Sequence, residues 1–451
     1  MPKFLIAHLR FWLFNGMSAN LAAMTNPQIA IHFFLQLTVI LVVCRAVGLA
    51  VRRLGQPQVV GEMIAGVCLG PSLFGVLAPG VQAWLFPVNL AGAAHPLMTV
   101  LYCIAQLGLV LYMFCIGMEF DVGLLRRRFR SAISVSLAGI LAPFAIGGLL
   151  AYLYRDSEAL FTSQTTFGDQ ALFLGAAMSI TAFPMLARII YERGLTGTSI
   201  GTLALAAGAI DDAVAWCILA LVLARVSGDS MIATMAIGGG VVYGIVVLAV
   251  VRPGLAWLAP RVAPDGPNAN LLLPLMMVLL MLASWFTDYV GIYAVFGAFM
   301  LGIAVPRGAI VESLRTRIEP LTTCLLLPAF FVYSGLNTQL TSINTGGLWT
   351  VTILILIGAI AAKGVACFAA AKLHREPTRE ALAIGALMNA RGLMELILLN
   401  IGLERGVITP TLFSILVLMA IVTTLMATPI FELVYGRTAR KDGTIGASRA
   451  A

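Results

Sequence analysis

Long apolar runs, each interrupted by a short cluster of charge, glycine or proline, recur along the chain from residue 28 to residue 434. They cover 28–50, 57–78, 97–118, 131–154, 169–191, 199–225, 231–251, 268–287, 290–305, 318–336, 347–371, 378–403 and 409–434. About 20 apolar residues carry a helix across the hydrocarbon of a bilayer, so the pattern predicts an all-α polytopic membrane protein with thirteen spans. The ninth run is short, and its separation from the eighth rests on Asp288 and Gly291. Residues 1–27 hold Lys3 and Arg10 beside a short apolar stretch and no small-residue cleavage site. They read as an interfacial segment rather than a signal peptide.

The runs resemble one another in pairs. Span 2 holds GEMIAGVCLGP and span 9 FGAFMLGIAVP; span 3 ends FCIGMEFDVGLL and span 10 FVYSGLNTQLTS; span 5 reads GAAMSITAFPML and span 12 GALMNARGLMEL. Each match pairs a span with the seventh one after it. An odd separation reverses direction in the membrane, so the halves form inverted repeats, 28–225 and 268–434, joined by span 7 and its loop (226–267) and followed by a tail, 435–451. Inverted repeats characterise secondary transporters, whose site lies at the midplane between the halves.

Composition agrees. Hydrophobic residues make up 60% of the chain and charged residues 11%, against about 25% charged in soluble domains; the apolar surplus has to face lipid. The net charge of +8 does not indicate nucleic acid, because the basic residues fall in alternate loops. Arg52 and Arg53, Arg126 to Arg128 with Arg130, Arg193, Arg252 and Arg261, Arg307, Arg315 and Arg317, and Lys372, Arg375 and Arg379 line one side. The positive-inside rule makes that side cytoplasmic in a cell inner membrane, with the N-terminus outside and the C-terminus inside. The seven cysteines lie within apolar runs without CxxC spacing and read as small core hydrophobes; the four scattered histidines suggest no transition-metal site. No soluble or nucleotide-binding domain is expected after the last span, and no cofactor.

Ionisable groups inside a span cost about 2.5–3.5 kcal/mol each at the helix centre, so the few present are the candidates for chemistry. Asp211 and Asp212 sit mid-span in AGAIDDAVAW. Neighbours on a helix point about 100° apart, so one can face a water-filled cavity while the other meets a neighbouring helix. Lys363 lies inside span 11 and either seeks a carboxylate or snorkels to the cytoplasmic end. Arg391 and Glu395 in span 12 stand four apart, as a self-contained intrahelical pair or as a brace for something larger. Spans 5 and 12 carry break signals: Ser179, Thr181 and Pro184 in one, Asn389, Arg391 and Gly392 in the other, matched by an offset of 210 residues. Unwound carbonyls, the Thr181 hydroxyl and a carboxylate would offer oxygen ligands to a hard cation such as Na⁺. Glu62, Glu119 and Asp288 lie near span ends and read as helix-end electrostatics, and Pro71 and Pro306 as helix terminators.

Three ordered stretches, LGQPQVVGEMIAGVCLGPSLFG (54–75), AGAIDDAVAWCILAL (207–221) and NARGLMELILLNIG (389–402), are similar to the monovalent cation:proton antiporter superfamily. The likeness is to the branch holding bacterial Na⁺/H⁺ and K⁺-efflux antiporters and the plant cation/proton exchangers. It covers essentially the whole membrane region. It implies a homodimer built from a dimerisation domain and a six-helix core with two crossing discontinuous helices, working by elevator-like alternating access. It further implies that Asp212 binds the cation (Na⁺ or K⁺) and the proton in turn, and that Asp211 partners Lys363. The Asp-Asp form goes with electrogenic sodium/proton exchange in that superfamily, while the 389–402 stretch is nearest the plant type, where potassium is often carried. The rival reading is a sodium-coupled symporter of an organic solute on a related inverted-repeat fold. A channel would need a carbonyl filter or a ring of charges in a symmetric pore, and no such loop is present.

Overall fold

A computed structural model of the chain describes residues 24–442, apart from 55, 57, 88, 91–92, 121, 196–197, 228–229, 263–268, 337 and 339. The expected interfacial segment 1–27 and the end of the tail 435–451 thus lie largely outside the described residues. Leaving aside Phe74–Leu77, Pro79–Leu85, Arg252–Val262 and Arg437–Lys441, the helices in chain order are α1 (Asn26–Arg53), α2 (Gln58–Leu69), α3 (Pro96–Glu119), α4 (Val122–Leu153), α5 (Phe167–Ser179), α6 (Phe183–Glu192), α7 (Ser199–Ser227) and α8 (Ser230–Val246). They continue with α9 (Leu272–Val290), α10 (Ala294–Ala304), α11 (Ala309–Leu321), α12 (Leu327–Leu336), α13 (Gly346–Leu373), α14 (Thr378–Leu387), α15 (Leu393–Glu404) and α16 (Pro410–Phe431). Among the described residues the only strands are a pair of two-residue pieces, Asn89–Leu90 and Ala93–Ala94.

Nine helical stretches among the described residues are long and apolar enough to cross a membrane. Their outward side chains are apolar: Ile31, Phe34, Val42, Leu141, Leu149, Ile245, Ile357 and Val365 are all exposed. Water would be a poor solvent for that surface and lipid a good one. The chain is a multi-pass membrane protein. Its cysteines divide: Cys44, Cys115 and Cys367 are buried as expected, Cys68 is half-buried, and Cys103, Cys217 and Cys324 are exposed.

Several helices outrun the apolar runs that announced them. The run beginning at 318 becomes a helix from Ala309, the run ending at 434 continues to Lys441, and the run ending at 251 continues through a π turn to Val262. Hydropathy marks the hydrocarbon, whereas a helix persists wherever its charged end residues reach polar partners. Arg315 pairs with Glu319 one turn on (2.6 Å) and with Glu119 (2.9 Å), and Arg440 pairs with Glu432. Residues 122–153 form one helix with a kink at Arg128 (φ −116°, ψ 16°), whose guanidinium pairs with Glu376 and bonds Ser199. The break between spans 8 and 9 is where Asp288 and Gly291 put it. Gly291 takes the left-handed conformation (φ 92°) and donates to Asp288 O, closing α9. Helices α2 and α10 stop at Leu69 and Ala304, just ahead of Pro71 and Pro306.

Glycines set how closely the helices approach. A Cβ at Gly335 would lie 2.6 Å from Gly66 Cα, joining α2 to α12; a Cβ at Gly302 would lie 2.9 Å from Gly117 Cα, joining α3 to α10. Gly66 and Gly302 belong to the matched motifs of spans 2 and 9, and Gly117 and Gly335 to those of spans 3 and 10, so one seam is built twice. A second pair of close approaches uses Gly175 and Gly385, which stand 210 residues apart. Gly175 on α5 meets Gly147 on α4 (2.7 Å from a Gly147 Cβ to Gly175 Cα), and Gly385 on α14 meets Gly364 on α13 (2.6 Å from a Gly385 Cβ to Gly364 O).

Candidate ion-binding site

The two break signals are two real breaks. Helix α5 ends at Ser179 and α6 begins at Phe183; α14 ends at Leu387 and α15 begins at Leu393, so the second half-helices start 210 residues apart. The non-helical stretches between them meet: Ala182 N–H donates to Ala390 O (3.0 Å). Thr424 on α16 holds the second stretch, its Oγ1 accepting from Arg391 N–H (3.0 Å) with Arg391 O at 2.9 Å. Four helix ends thereby face one buried point, two presenting carbonyls and two presenting N–H groups.

The carbonyl end of α5 is covered by two cations. Arg391 Nη1 donates to Ala177 O (2.6 Å), Arg391 Nη2 to Met178 O, and Lys363 Nζ to Ser179 O. A positive charge is favourable at a helix C-terminus, most of all where no water competes. Glu395 occupies the first turn of α15, the complementary place for a carboxylate, with its Oε2 3.5 Å from Arg391 Nη1. Arg391 is not on that helix: it stands in the non-helical break before Gly392. Of the two readings that the four-residue spacing left open, the self-contained intrahelical pair gives way to the brace: the ion pair spans a helix start, and Arg391 also reaches the α5 carbonyls, partners that spacing did not name. Snorkelling of Lys363 does not occur; its side chain is fully buried.

Asp211 is held by three donors. Ser136 Oγ donates to Oδ1 (2.5 Å), Thr181 Oγ1 to Oδ2 (2.6 Å), and Lys363 Nζ lies 3.4 Å from Oδ2. Thr181 also has Met388 O at 3.3 Å. Asp212, the next residue of α7, is 2% exposed. It stands one turn after Gly208, whose missing side chain lets α7 rest against Phe183 and Leu186 of α6. Asn389 Nδ2 donates to Gly385 O (2.9 Å), while its Oδ1 is buried without a hydrogen-bond partner. Ser179 Oγ turns back to Ala176 O (3.0 Å). Pro184 is the second residue of α6, where a missing N–H leaves no bond unmade. The structure thus gathers Asp211, Thr181, Lys363, Arg391, Glu395 and both broken stretches into one charged interior. It adds Ser136, which no signal in the sequence distinguishes from Ser131 and Ser134.

A buried lysine, arginine, glutamate and aspartate pair beside two crossing breaks can stabilise charge, exchange protons and offer oxygen ligands; no nucleophile–base pair stands among them. The family described as sodium/hydrogen exchanger, transmembrane, matches residues 38–434. The chain belongs to this family. As an exchanger it is a transporter and not an enzyme. It is 37% identical over 401 residues to the Na⁺/H⁺ antiporter NhaS4 of a Synechocystis strain, covering 88% of this chain and 95% of the relative. It is also 37% identical to Cation/H⁺ antiporter 17 of Arabidopsis thaliana, covering 89% of this chain and 48% of that protein. The exchanger thus spans about half the length of this plant relative. Its fold matches the solved sodium proton antiporter MjNhaP1 of Methanocaldococcus jannaschii, with a TM-score of 0.59 over 92% of this chain and 99% of the other at 16% identity.

Proposed function

We propose that the chain exchanges one monovalent cation, Na⁺ or K⁺, for protons by alternating access, with Asp212 as the carboxylate that carries them in turn. Cation/proton antiport is the activity the family supports, and the organic-solute symporter has no support from it. The observation that supports the residue assignment is the engagement of Asp211 by protein donors. Three protein donors already converge on its two oxygens, which fits a structural role for Asp211, and the resemblance to the antiporter superfamily assigns the exchange of bound species to Asp212 beside it. The Thr181 hydroxyl donates to Asp211 and still offers lone pairs, and the buried Asn389 Oδ1 supplies a further neutral oxygen at the second break.

Competition at one carboxylate is enough for exchange. A bare charge crosses the barrier reluctantly, so the site moves when loaded with a proton or with a cation and rests when empty. Lys363 bridges the end of α5 and Asp211. If cation binding breaks that bridge and Lys363 gives up its proton, two protons move per cation and transport is electrogenic; current-free exchange would overturn this stoichiometry. We read the broken pairs α5/α6 and α14/α15 as single spans, giving thirteen in two inverted repeats, 28–225 and 268–434, linked by 226–267. The doubled glycine seams and the 210-residue register of the breaks support that reading. The basic loops support an inner-membrane orientation with the N-terminus outside and the C-terminus cytoplasmic. A homodimer joined through the domain that does not carry the crossing fits the same architecture.

The test is dissipation of a preset pH gradient in proteoliposomes on adding Na⁺ or K⁺ separately, for wild type and Asp212→Asn. A response to one ion that disappears in the variant establishes antiport, ion and carboxylate together. A response that persists in the variant removes Asp212 from its role, and silence to both ions in wild type removes antiport.

A further inference from the structure

The Phe120, Phe183 and Phe299 rings form a closed cluster: centroids lie 5.8 Å apart for Phe120–Phe183, 5.5 Å for Phe183–Phe299 and 5.8 Å for Phe120–Phe299, the two contacts of Phe183 edge-on at 78° and 70°. The three rings come from different parts of the fold. Phe120 follows α3 and Phe299 lies on α10, two helices locked together at the Gly117–Gly302 seam. The Phe120 backbone is tied to the chain after α10 by Arg307 Nη2, which donates to Phe120 O (2.7 Å). Phe183 is the first residue of α6, the half-helix that leaves the crossing, and is 1% exposed. It also rests on Gly208 of α7 (3.4 Å from a Gly208 Cβ), one helical turn before Asp212. The cluster therefore lies one turn from the proposed ion carboxylate, on the side where α3 and α10 end, and it joins the element bearing the crossing to a seam of helices that does not bear it.

We propose that Phe120, Phe183 and Phe299 form a gate that seals Asp212 from the side of the membrane on which α3 ends. This rests on the antiport reading, and on its orientation that side is cytoplasmic. Three apolar rings in mutual contact form a dry constriction, and a dry constriction blocks ions and protons alike. Coupled exchange requires that the site never open to both faces at once. Phe183 must therefore part from Phe120 and Phe299 when α6 and α7 carry the loaded carboxylate to that side, and re-seat when they return. Edge-on aromatic contacts suit this duty, each worth only about 0.5–1.5 kcal/mol beyond burial, so the seal is closed at rest and separable within a transport cycle.

Truncating the gate should turn an exchanger into a leak. In proteoliposomes holding a pH gradient without added Na⁺ or K⁺, Phe183→Ala and Phe299→Ala should collapse the gradient about 10-fold faster than wild type, as a wetted constriction conducts. Phe183→Leu, which keeps an apolar plug, should hold it near the wild-type rate. A merely structural role would lower cation-driven exchange without raising the cation-free leak. Should Phe183→Ala fail to give monodisperse protein, Phe120→Ala and Phe299→Ala test the opposite wall. Alanine variants that exchange normally and leak no more than wild type overturn the gate and leave antiport standing. A wild type that exchanges neither ion overturns antiport instead.

Discussion

The glycine seams and the crossing are both built twice, but only the seams are built the same way twice. Gly66 against Gly335 and Gly302 against Gly117 are one contact in two copies, backbone on backbone with no polar partner to orient it. At the crossing, Ser179 corresponds to Asn389 and Thr181 to Arg391, and the copies diverge in charge. Both cations, Arg391 and Lys363, go to the carbonyl end of α5. The corresponding end of α14 is met by neutral donors, among them Asn389 Nδ2 on Gly385 O. The acid likewise appears once, as Glu395 in the first turn of α15, with none in the first turn of α6. Symmetric steric contacts fix where helices lie, and the asymmetric charges give the crossing a polarity that a transport site can use.

Substitutions can break or sharpen this contrast. Arg391→Ala should have the largest effect, because it strands the Ala177 and Met178 carbonyls and the Glu395 carboxylate in a dry interior. Removing one partner of a buried pair costs about 3–5 kcal/mol, read as a fall in unfolding temperature in detergent micelles and a loss of exchange. The seams should respond more mildly and alike. Gly66→Ala and Gly302→Ala each force a Cβ into a facing backbone, and overpacking costs about 1–3 kcal/mol. Gly148→Ala, with nothing within 4 Å of the new methyl, should instead gain about 0.5–1 kcal/mol from helix propensity. Unequal losses at Gly66 and Gly302 would dissolve the equivalence of the seams. Thr181→Ala removes one donor from Asp211 and should cost about 1–2 kcal/mol, with Thr181→Ser recovering it; the same scan of unfolding temperature decides. Smallest is Arg225→Ala. Its pair with Asp169 (2.9 Å) is more than half exposed on the arginine side, and such pairs contribute at most about 1 kcal/mol.

Much of this was legible in the chain. Apolar runs located the helices because lipid demands uniform faces. The 210-residue offset located the breaks in spans 5 and 12, because a break needs residues that tolerate non-helical backbone and those recur in register. Helix ends were misjudged wherever charged turns continue past the hydrocarbon, as at Ala309 and Lys441. At the crossing the sequence could nominate Asp211, Lys363 and Arg391 from the cost of burying charge, but not say whom they meet. Arg391 reaches carbonyls more than 200 residues away, a partner without a sequence signature, and Ser136 is an ordinary small polar residue until α4 sets it against Asp211. Phe183 was invisible for the opposite reason, since an aromatic residue in an apolar run carries no information about which rings will surround it.

The meeting of the two broken stretches also imposes an order on manufacture. Ala182 N–H and the carbonyls of Ala177, Met178 and Ser179 depend on Arg391, Lys363 and Ala390, which a ribosome adds roughly 10–40 s later at about 5–20 residues per second. Until then the first break carries bare backbone polar groups that hydrocarbon cannot solvate. The nascent first half therefore has to wait in the translocon, beside an insertase or around trapped water, and slowing synthesis between residues 183 and 391 should lengthen its exposure to membrane quality control.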